Sequence, residues 1–161
     1  MFENNRSIFL SLLSGVLLVF SFPKFGVGLI AWIAFVPLLL ALQATDKPLK
    51  AALWGFLTGI VFHIGLLYWI AQVIVMYGYL PLYIGISAMI LLSSFLSLYF
   101  SIFSAALVFL RRRGFSEVVS APLLWSCLEF VKSHLFTGFP WENLAYSQYK
   151  YLSIIQFTDI T

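Results

Sequence analysis

Apolar residues fill most of the chain in long blocks, which polar residues interrupt only briefly. Sixty consecutive residues, Ala51 to Leu110, contain no Asp, Glu, Lys or Arg. A membrane-spanning helix needs about 20 apolar residues, so this stretch holds two long helices and a turn near Gly78 and Pro81. The pattern predicts an all-α, polytopic transmembrane bundle of about five spanning helices. The predicted spans cover residues 8–22, 26–42, 51–70, 82–110 and 118–135.

Composition supports the same class. The chain is 62% hydrophobic and 9% charged, whereas soluble domains carry about 25% charged residues. The net charge of +3 does not indicate a nucleic-acid partner, because the basic residues lie in short loops between apolar segments. The single cysteine, Cys127, excludes an internal disulfide. We expect its side chain to be a small buried apolar group within a span.

The distribution of Lys and Arg predicts the orientation. Six of them fall in segments on the side of the N-terminus, and two fall on the other side, Lys24 and Lys150. Positive residues favour the cytoplasm, so we predict a cytoplasmic N-terminus. Residues 8–22 are also short enough for a cleaved signal peptide, but no small-x-small site precedes Pro23, which favours a retained helix. The six basic residues on the side of the N-terminus are Arg6, Lys47, Lys50, Arg111, Arg112 and Arg113.

Three polar groups inside the predicted spans are candidate functional residues. Glu129 and Lys132 lie three residues apart, on one helix face. Ionisable groups at this depth indicate a functional site, but mutual neutralisation, with Lys132 extending to the interface, is favoured. For His63 a hydrogen bond between helices is favoured over a proton relay. We expect no metal site and no cofactor. A stripe of serines on the fourth span favours packing over a polar path: Ser87, Ser94, Ser97, Ser101 and Ser104.

The segment after the fifth span has a different character. Residues 136–150 form a polar-aromatic loop, in which Gly138 and Pro140 exclude a regular helix. Residues 151–161 begin a further apolar element. The varied side chains of the loop indicate contact with a lipid or substrate as well as anchoring. The candidate contact residues are Phe139, Pro140, Trp141, Glu142 and Trp69.

The loop carries a family resemblance. Leu135-Phe-Thr-Gly-Phe-Pro-Trp, followed by Leu144-Ala-Tyr-Ser-Gln, resembles the apolipoprotein N-acyltransferases of bacterial inner membranes. Three other segments are similar to that family, and so is the closing Ile-Gln-Phe-Thr-Asp-Ile-Thr, so the resemblance covers the whole chain. The three are Phe20-Ser-Phe-Pro, Gly55 to Trp69 and Pro122 to Glu129.

The resemblance implies an acyltransferase of lipoprotein maturation, in the nitrilase superfamily. Such enzymes take an acyl chain from a membrane phospholipid onto a cysteine and pass it to the N-terminal amine of a diacylated apolipoprotein. Their Glu, Lys and Cys triad lies in a nitrilase-like domain outside the membrane, and none of it can be placed on this sequence. We therefore expect residues 1–161 to be the N-terminal transmembrane module, without the catalytic domain and inactive alone. A truncation, a fragment and a split enzyme with a separately encoded catalytic half are all open.

The resemblance also implies a location in the bacterial inner membrane, with the 136–150 loop on the periplasmic side. Two other readings remain. A small transporter or channel subunit would use His63, Glu129 and the serines to line a path. A structural membrane protein would have no ligand of its own.

Overall fold

A computed structural model describes residues 2–135 and 138–158. These residues form α-helices and two short 3-10 helices, and no strand occurs among them, which confirms the all-α class. Phe136, Thr137 and residues 159–161, which belong to the sequence motifs above, lie outside the described residues. The α-helices are α1 (Phe2–Ser21), α2 (Ala31–Ala34), α3 (Val36–Gln43), α4 (Pro48–Gly78), α5 (Leu82–Arg112), α6 (Glu117–His134) and α7 (Leu152–Thr158). The 3-10 helices are Gly28–Ile30 and Leu144–Gln148.

Three helices of the described residues are long and apolar enough to cross a membrane. They are Asn4–Ser21 of α1, α4 and α5. At 1.5 Å per residue, the 31 residues of α4 extend over about 46 Å. Helix α4 therefore continues well beyond the predicted end at residue 70. It stops where Tyr79 takes a left-handed φ of 52° and Pro81 follows. The count of five spans and the orientation stay predictions.

The second predicted span, 26–42, is not one helix. It is divided into a 3-10 turn, α2 and α3, with the break at Phe35. Pro37 lies in the first turn of α3, where a proline without an N–H is tolerated. The 16 residues from Gly28 to Gln43 would reach about 24 Å as a straight helix, less than the core of about 30 Å.

The fifth predicted span is confirmed as a helix. Helix α6 covers Glu117–His134, within one residue of the prediction at each end. It carries Glu117, Glu129 and Lys132 and is therefore less apolar than α1, α4 and α5.

Small residues bring α4 and α5 together along their length. A Cβ atom at Gly59 would lie 2.9 Å from Cα and Cβ of Ser97, and one at Gly55 would clash with the carbonyl oxygen of Phe100. Ser101 Oγ donates to the carbonyl oxygen of Ala52 at 2.8 Å. Such close approach is typical of helix pairs in membranes. Three serines of the predicted stripe lie in this seam (Ser97, Ser101 and Ser104), whereas Ser87 is exposed.

Helices α1, α2 and α3 complete the core against α4. Thr58 Oγ1 donates to the Ser11 carbonyl at 2.9 Å, and Ser14 Oγ donates to the Ala34 carbonyl at 2.6 Å. These bonds join helices through buried hydroxyl groups. Aromatic rings fill the space between the helices, and Trp125 of α6 packs at 4.7 Å on the ring of Phe100. Helix α6 is thereby held beside α5, with its last turn facing the middle of α4 and α5.

We predict that Gly59→Ala destabilises the bundle by about 1–3 kcal/mol, because the added methyl group must displace the backbone of α5 at Ser97. Gly78→Ala is the matched control, since the nearest atoms to its Cβ belong to the Leu80 side chain at 3.8 Å. Alanine there should be neutral or stabilising. Thermal unfolding of both variants in detergent tests this, and equal effects of the two substitutions would contradict it.

Candidate functional site at the end of α6

The chain turns sharply at Gly138, shortly after the end of α6. Gly138 has a φ of +75°, and a Cβ atom there would clash with the carbonyl oxygen of Ser133. The Phe139 N–H donates to the Lys132 carbonyl at 2.9 Å. A glycine is required because this backbone conformation and close approach exclude a side chain. The turn directs the following residues back against the bundle.

Glu142 then enters the bundle interior. Its φ of 61° is left-handed, which is uncommon for a residue other than glycine. Its side chain is 9% exposed, and Oε2 lies 3.6 Å from Nε2 of His63, whose side chain is 2% exposed. The sequence pattern did not reveal this pair, because the carboxylate reaches His63 from a distant loop. A strained, non-glycine backbone at a buried carboxylate is the kind of feature that marks functional sites.

Lys132 and Glu129 hold the loop through its backbone. Lys132 is 7% exposed, and its Nζ donates to the Trp141 carbonyl at 3.1 Å. Glu129 Oε1 accepts the Leu144 N–H at 2.6 Å. No ion pair within 4.0 Å joins the two side chains in the described part of the chain. The expectation that Lys132 extends to the interface is therefore wrong, because the loop supplies a partner for its ammonium group inside the protein.

His63 makes the predicted hydrogen bond between helices. Its Nδ1 lies 3.2 Å from Oγ of Ser97 on α5, so this prediction is confirmed. Among the described residues, no group of three or more His, Cys, Asp or Glu side chains could hold a metal ion. We call His63, Glu129, Lys132 and Glu142 the polar cluster. They line a cavity of about 10 Å³ together with Tyr99, the smallest space that accommodates a water molecule.

Burial also changes the acidity of the loop carboxyl. It raises the pKa of Glu142 from 4.5 to about 7, although the nearby ammonium group of Lys132 acts in the opposite direction. Desolvation disfavours the ionised form of an acid, and here it outweighs the attraction. Glu142 can therefore gain or lose a proton near neutral pH.

The candidate contact residues separate into two groups. The Trp141 ring lies 5.9 Å from that of Trp69 and 5.7 Å from that of Phe139, and Trp141 is 53% exposed. Pro140 beside them is exposed. Glu142 instead points into the bundle, away from a surface ligand. Trp69, Phe139 and Trp141 thus form one aromatic surface, and its role in substrate contact stays a prediction.

The loop is also fastened beyond Glu142. Gln148 Nε2 donates to the Gly28 carbonyl at 2.7 Å, and Lys150 Nζ donates to the Gly26 carbonyl at 3.1 Å. Trp32 Nε1 donates to Gln148 Oε1 at 3.3 Å. The 136–150 loop therefore connects α6, the centre of α4 and the 3-10 turn after α1.

An apolar groove of about 1060 Å³ lies beside this attachment, between α2, α3, α6 and α7. Glu129 borders both the groove and the small cavity of the polar cluster. No sequence pattern predicts the groove, because its shape depends on how separate helices pack. Its walls include Trp32, Phe35, Leu39, Phe103, Pro122 and Trp125.

Cys127 differs from its prediction. The side chain is exposed on the surface of α6 instead of buried in the bundle. A run of apolar residues around a cysteine shows that the helix is apolar all round, but not which face the cysteine occupies.

The family model of the apolipoprotein N-acyltransferase N-terminal domain matches residues 14–161 of this sequence. The chain belongs to this family. An apolipoprotein N-acyltransferase of Geobacter metallireducens is 45% identical over 156 residues, which make up 97% of this chain and 30% of that protein. That of Wigglesworthia glossinidia brevipalpis is 34% identical over 88% of this chain and 29% of its own length. The Pasteurella multocida protein is 29% identical over 87% of this chain and 26% of its own length.

The chain therefore spans less than a third of the length of these apolipoprotein N-acyltransferases. The matched region includes α4, α5, α6 and the 136–150 loop. The polar cluster and the aromatic surface both lie in the part shared with the family.

We predict that Lys132→Met releases the loop and destabilises the protein by about 2–4 kcal/mol, because the Trp141 carbonyl loses its donor and the two buried carboxyl groups lose the nearby positive charge. Lys47→Met is the matched control, since Lys47 is exposed and makes no ion pair among the described residues. Limited proteolysis of the 136–150 loop and thermal unfolding measure the effect. Unchanged protection of the loop in Lys132→Met would show that the ammonium group does not hold it.

Proposed function

We propose that this chain is the membrane module of an apolipoprotein N-acyltransferase, the enzyme that completes lipoprotein maturation. The whole enzyme transfers an acyl chain from a phospholipid to the N-terminal amine of a diacylglyceryl-cysteine lipoprotein. The observation that carries the proposal is the family match over residues 14–161, which includes both the bundle and the loop. Three apolar helices support a position in the membrane.

The module holds and orients lipid substrates at the membrane surface. We place it in the bacterial inner membrane, with the 136–150 loop on the periplasmic side. The support is the bias of Lys and Arg toward the opposite ends of the helices. Trp69, Phe139 and Trp141 offer a half-exposed aromatic surface there. Amphipathic rings suit the contact with both the acyl chains and the polar groups of a phospholipid and a diacylated apolipoprotein.

Acyl transfer itself requires groups outside this module. Cys127 lies on an exposed face of α6, whereas Glu129 and Lys132 hydrogen-bond to the loop backbone. These three side chains therefore do not form a nucleophile with its base and its cation. The catalytic half belongs to a further region or to a separate chain.

We predict that the purified 161-residue chain transfers no acyl group from phospholipid to a diacylated lipopeptide. Mass spectrometry of the peptide measures the transfer, and the full-length relative from Geobacter metallireducens is the positive control. Turnover by the 161-residue chain, retained in Cys127→Ser, would show that other residues of the module are catalytic.

A chimera tests the proposed function directly. Residues 1–161 replace the matching 30% of the Geobacter metallireducens relative, and the product is expressed in a strain depleted of its own apolipoprotein N-acyltransferase. We expect growth and N-acylated lipoproteins, because 45% identity preserves the contacts of the module. A chimera that is inserted and stable but inactive, beside an active parent, would contradict the proposal.

In that chimera, Trp141→Ala should lower kcat/KM by roughly tenfold through the loss of aromatic contact with the lipid substrate. Phe109→Ala is the control, because Phe109 is similarly exposed, at 49%, near the other end of α5. Equal kcat/KM values for the two variants would show that the aromatic surface does not contact the lipid substrate.

A further inference from the structure

The hydrogen-bond chain around Ser97 fixes the position of the proton on His63. Ser97 Oγ lies 2.6 Å from the Ser93 carbonyl oxygen and 3.2 Å from His63 Nδ1. A carbonyl oxygen can only accept, so the single hydroxyl proton of Ser97 points to Ser93. His63 Nδ1 must then donate its own proton to Ser97 Oγ. In a neutral imidazole this leaves Nε2 as a bare acceptor.

Glu142 faces this bare nitrogen. Its Oε2 lies 3.6 Å from His63 Nε2, is shielded from solvent and has no hydrogen-bond donor. An ionised carboxylate only accepts hydrogen bonds, so two acceptors would confront each other in a buried site, which is costly. A carboxylic acid has one O–H group, and its proton can be donated to Nε2. One proton therefore satisfies both atoms once they approach by a few tenths of an ångström from their separation of 3.6 Å.

We propose that the docked loop is locked by a proton, which Glu142 carries as a carboxylic acid and donates to Nε2 of His63. The site binds a proton at the junction of α4, α5 and the 136–150 loop, and it goes beyond the acyltransferase function. Loss of the proton leaves Oε2 facing Nε2 without a donor. The loop then keeps its bonds to Lys132 and Glu129 and its attachment through Gln148 and Lys150, but it loses the contact at His63.

The two charged groups that α6 contributes to the site already have partners in the loop. From α6, Lys132 donates to the Trp141 carbonyl, and Glu129 accepts from the Leu144 N–H. From α5, Ser97 is engaged as above and Tyr99 lines the cavity. From α4, His63 is the only titratable group that faces the cavity among the described residues. The cavity of about 10 Å³ accommodates about one water molecule at most, so bulk solvent does not reach the facing atoms.

The direction of the pH dependence follows from the carboxyl group. Burial raises the pKa of Glu142 to about 7 in the docked loop, against 4.5 for the free group. Between these values the folded protein holds a proton that the unfolded chain has lost. The contribution of Glu142 to stability therefore falls as the pH rises from about 4.5 to about 7, and it is lost above about 7.

The first test compares the pH dependence of thermal unfolding in detergent. We expect the Tm of the full chain to fall between pH 5 and pH 8 by roughly 5–10 °C more than that of Glu142→Gln, since the titration of groups that both proteins share, such as His63, cancels in the comparison. Glu142→Gln should lose this slope, because its amide can donate an N–H to His63 Nε2 at every pH. Glu117→Gln, which affects an ion pair with Arg111 at the other end of α6, should keep the wild-type slope. Identical slopes in the wild type and Glu142→Gln would overturn the proposal.

The second test reads the protons directly, with Glu142→Gln as the reference for the infrared band. His134→Gln leaves His63 as the only histidine, and its ¹⁵N NMR spectrum reports the tautomer. We expect a neutral ring with the proton on Nδ1 at pH 6. The infrared spectrum should show a carboxylic-acid band that is absent in Glu142→Gln. A proton on Nε2, or an infrared spectrum without that band at pH 6, would overturn the proposal.

Discussion

A buried ammonium group needs partners within the protein, and this requirement shapes the end of α6. Lys132 is 7% exposed, and an unpaired charge at such a position would be very costly. The backbone of the 136–150 loop supplies the Trp141 carbonyl to Lys132 and the Leu144 N–H to Glu129. The loop must therefore fold back against the bundle, which brings Glu142 to His63 and leaves Trp141 on the surface. The buried charged groups of Lys132 and Glu129 thus determine the path of the loop.

The close seam between α4 and α5 makes this arrangement possible. Because Gly59 has no side chain, Ser97 of α5 comes close to α4, and the hydroxyl group of Ser97 reaches the ring of His63. The ring is thereby held with one nitrogen toward α5 and the other toward the loop. Small residues in the seam thus do more than allow packing, since they also orient the one histidine that meets Glu142.

The long helices could be predicted from the sequence because their signal is local. Absence of charge over sixty residues determines α4 and α5, and a largely apolar segment between Arg113 and Gly138 determines α6. The break at Phe35 and the exposure of Cys127 could not be predicted, because both depend on which neighbours pack against an apolar segment. The pairing of His63 with Glu142 was hidden for a stronger reason. It requires a left-handed φ at a glutamate, a conformation that local preference disfavours and tertiary contacts impose.

The loop motif has a physical explanation that joins these observations. Gly138 permits the chain to reverse direction. The Trp141 carbonyl then accepts a hydrogen bond from Lys132, and the side chain of Glu142 lies in the interior of the bundle. The same reversal places the ring of Trp141 outward, beside Trp69. Backbone and side chain of Trp141 thus serve opposite sides of the loop. Any event that loosens the inward contacts must also move the outward aromatic surface, because Trp141 directly follows Pro140 and directly precedes the buried Glu142. Substrate contact at the surface and the hydrogen bonds of the buried charged groups are therefore coupled through a few consecutive residues of the loop.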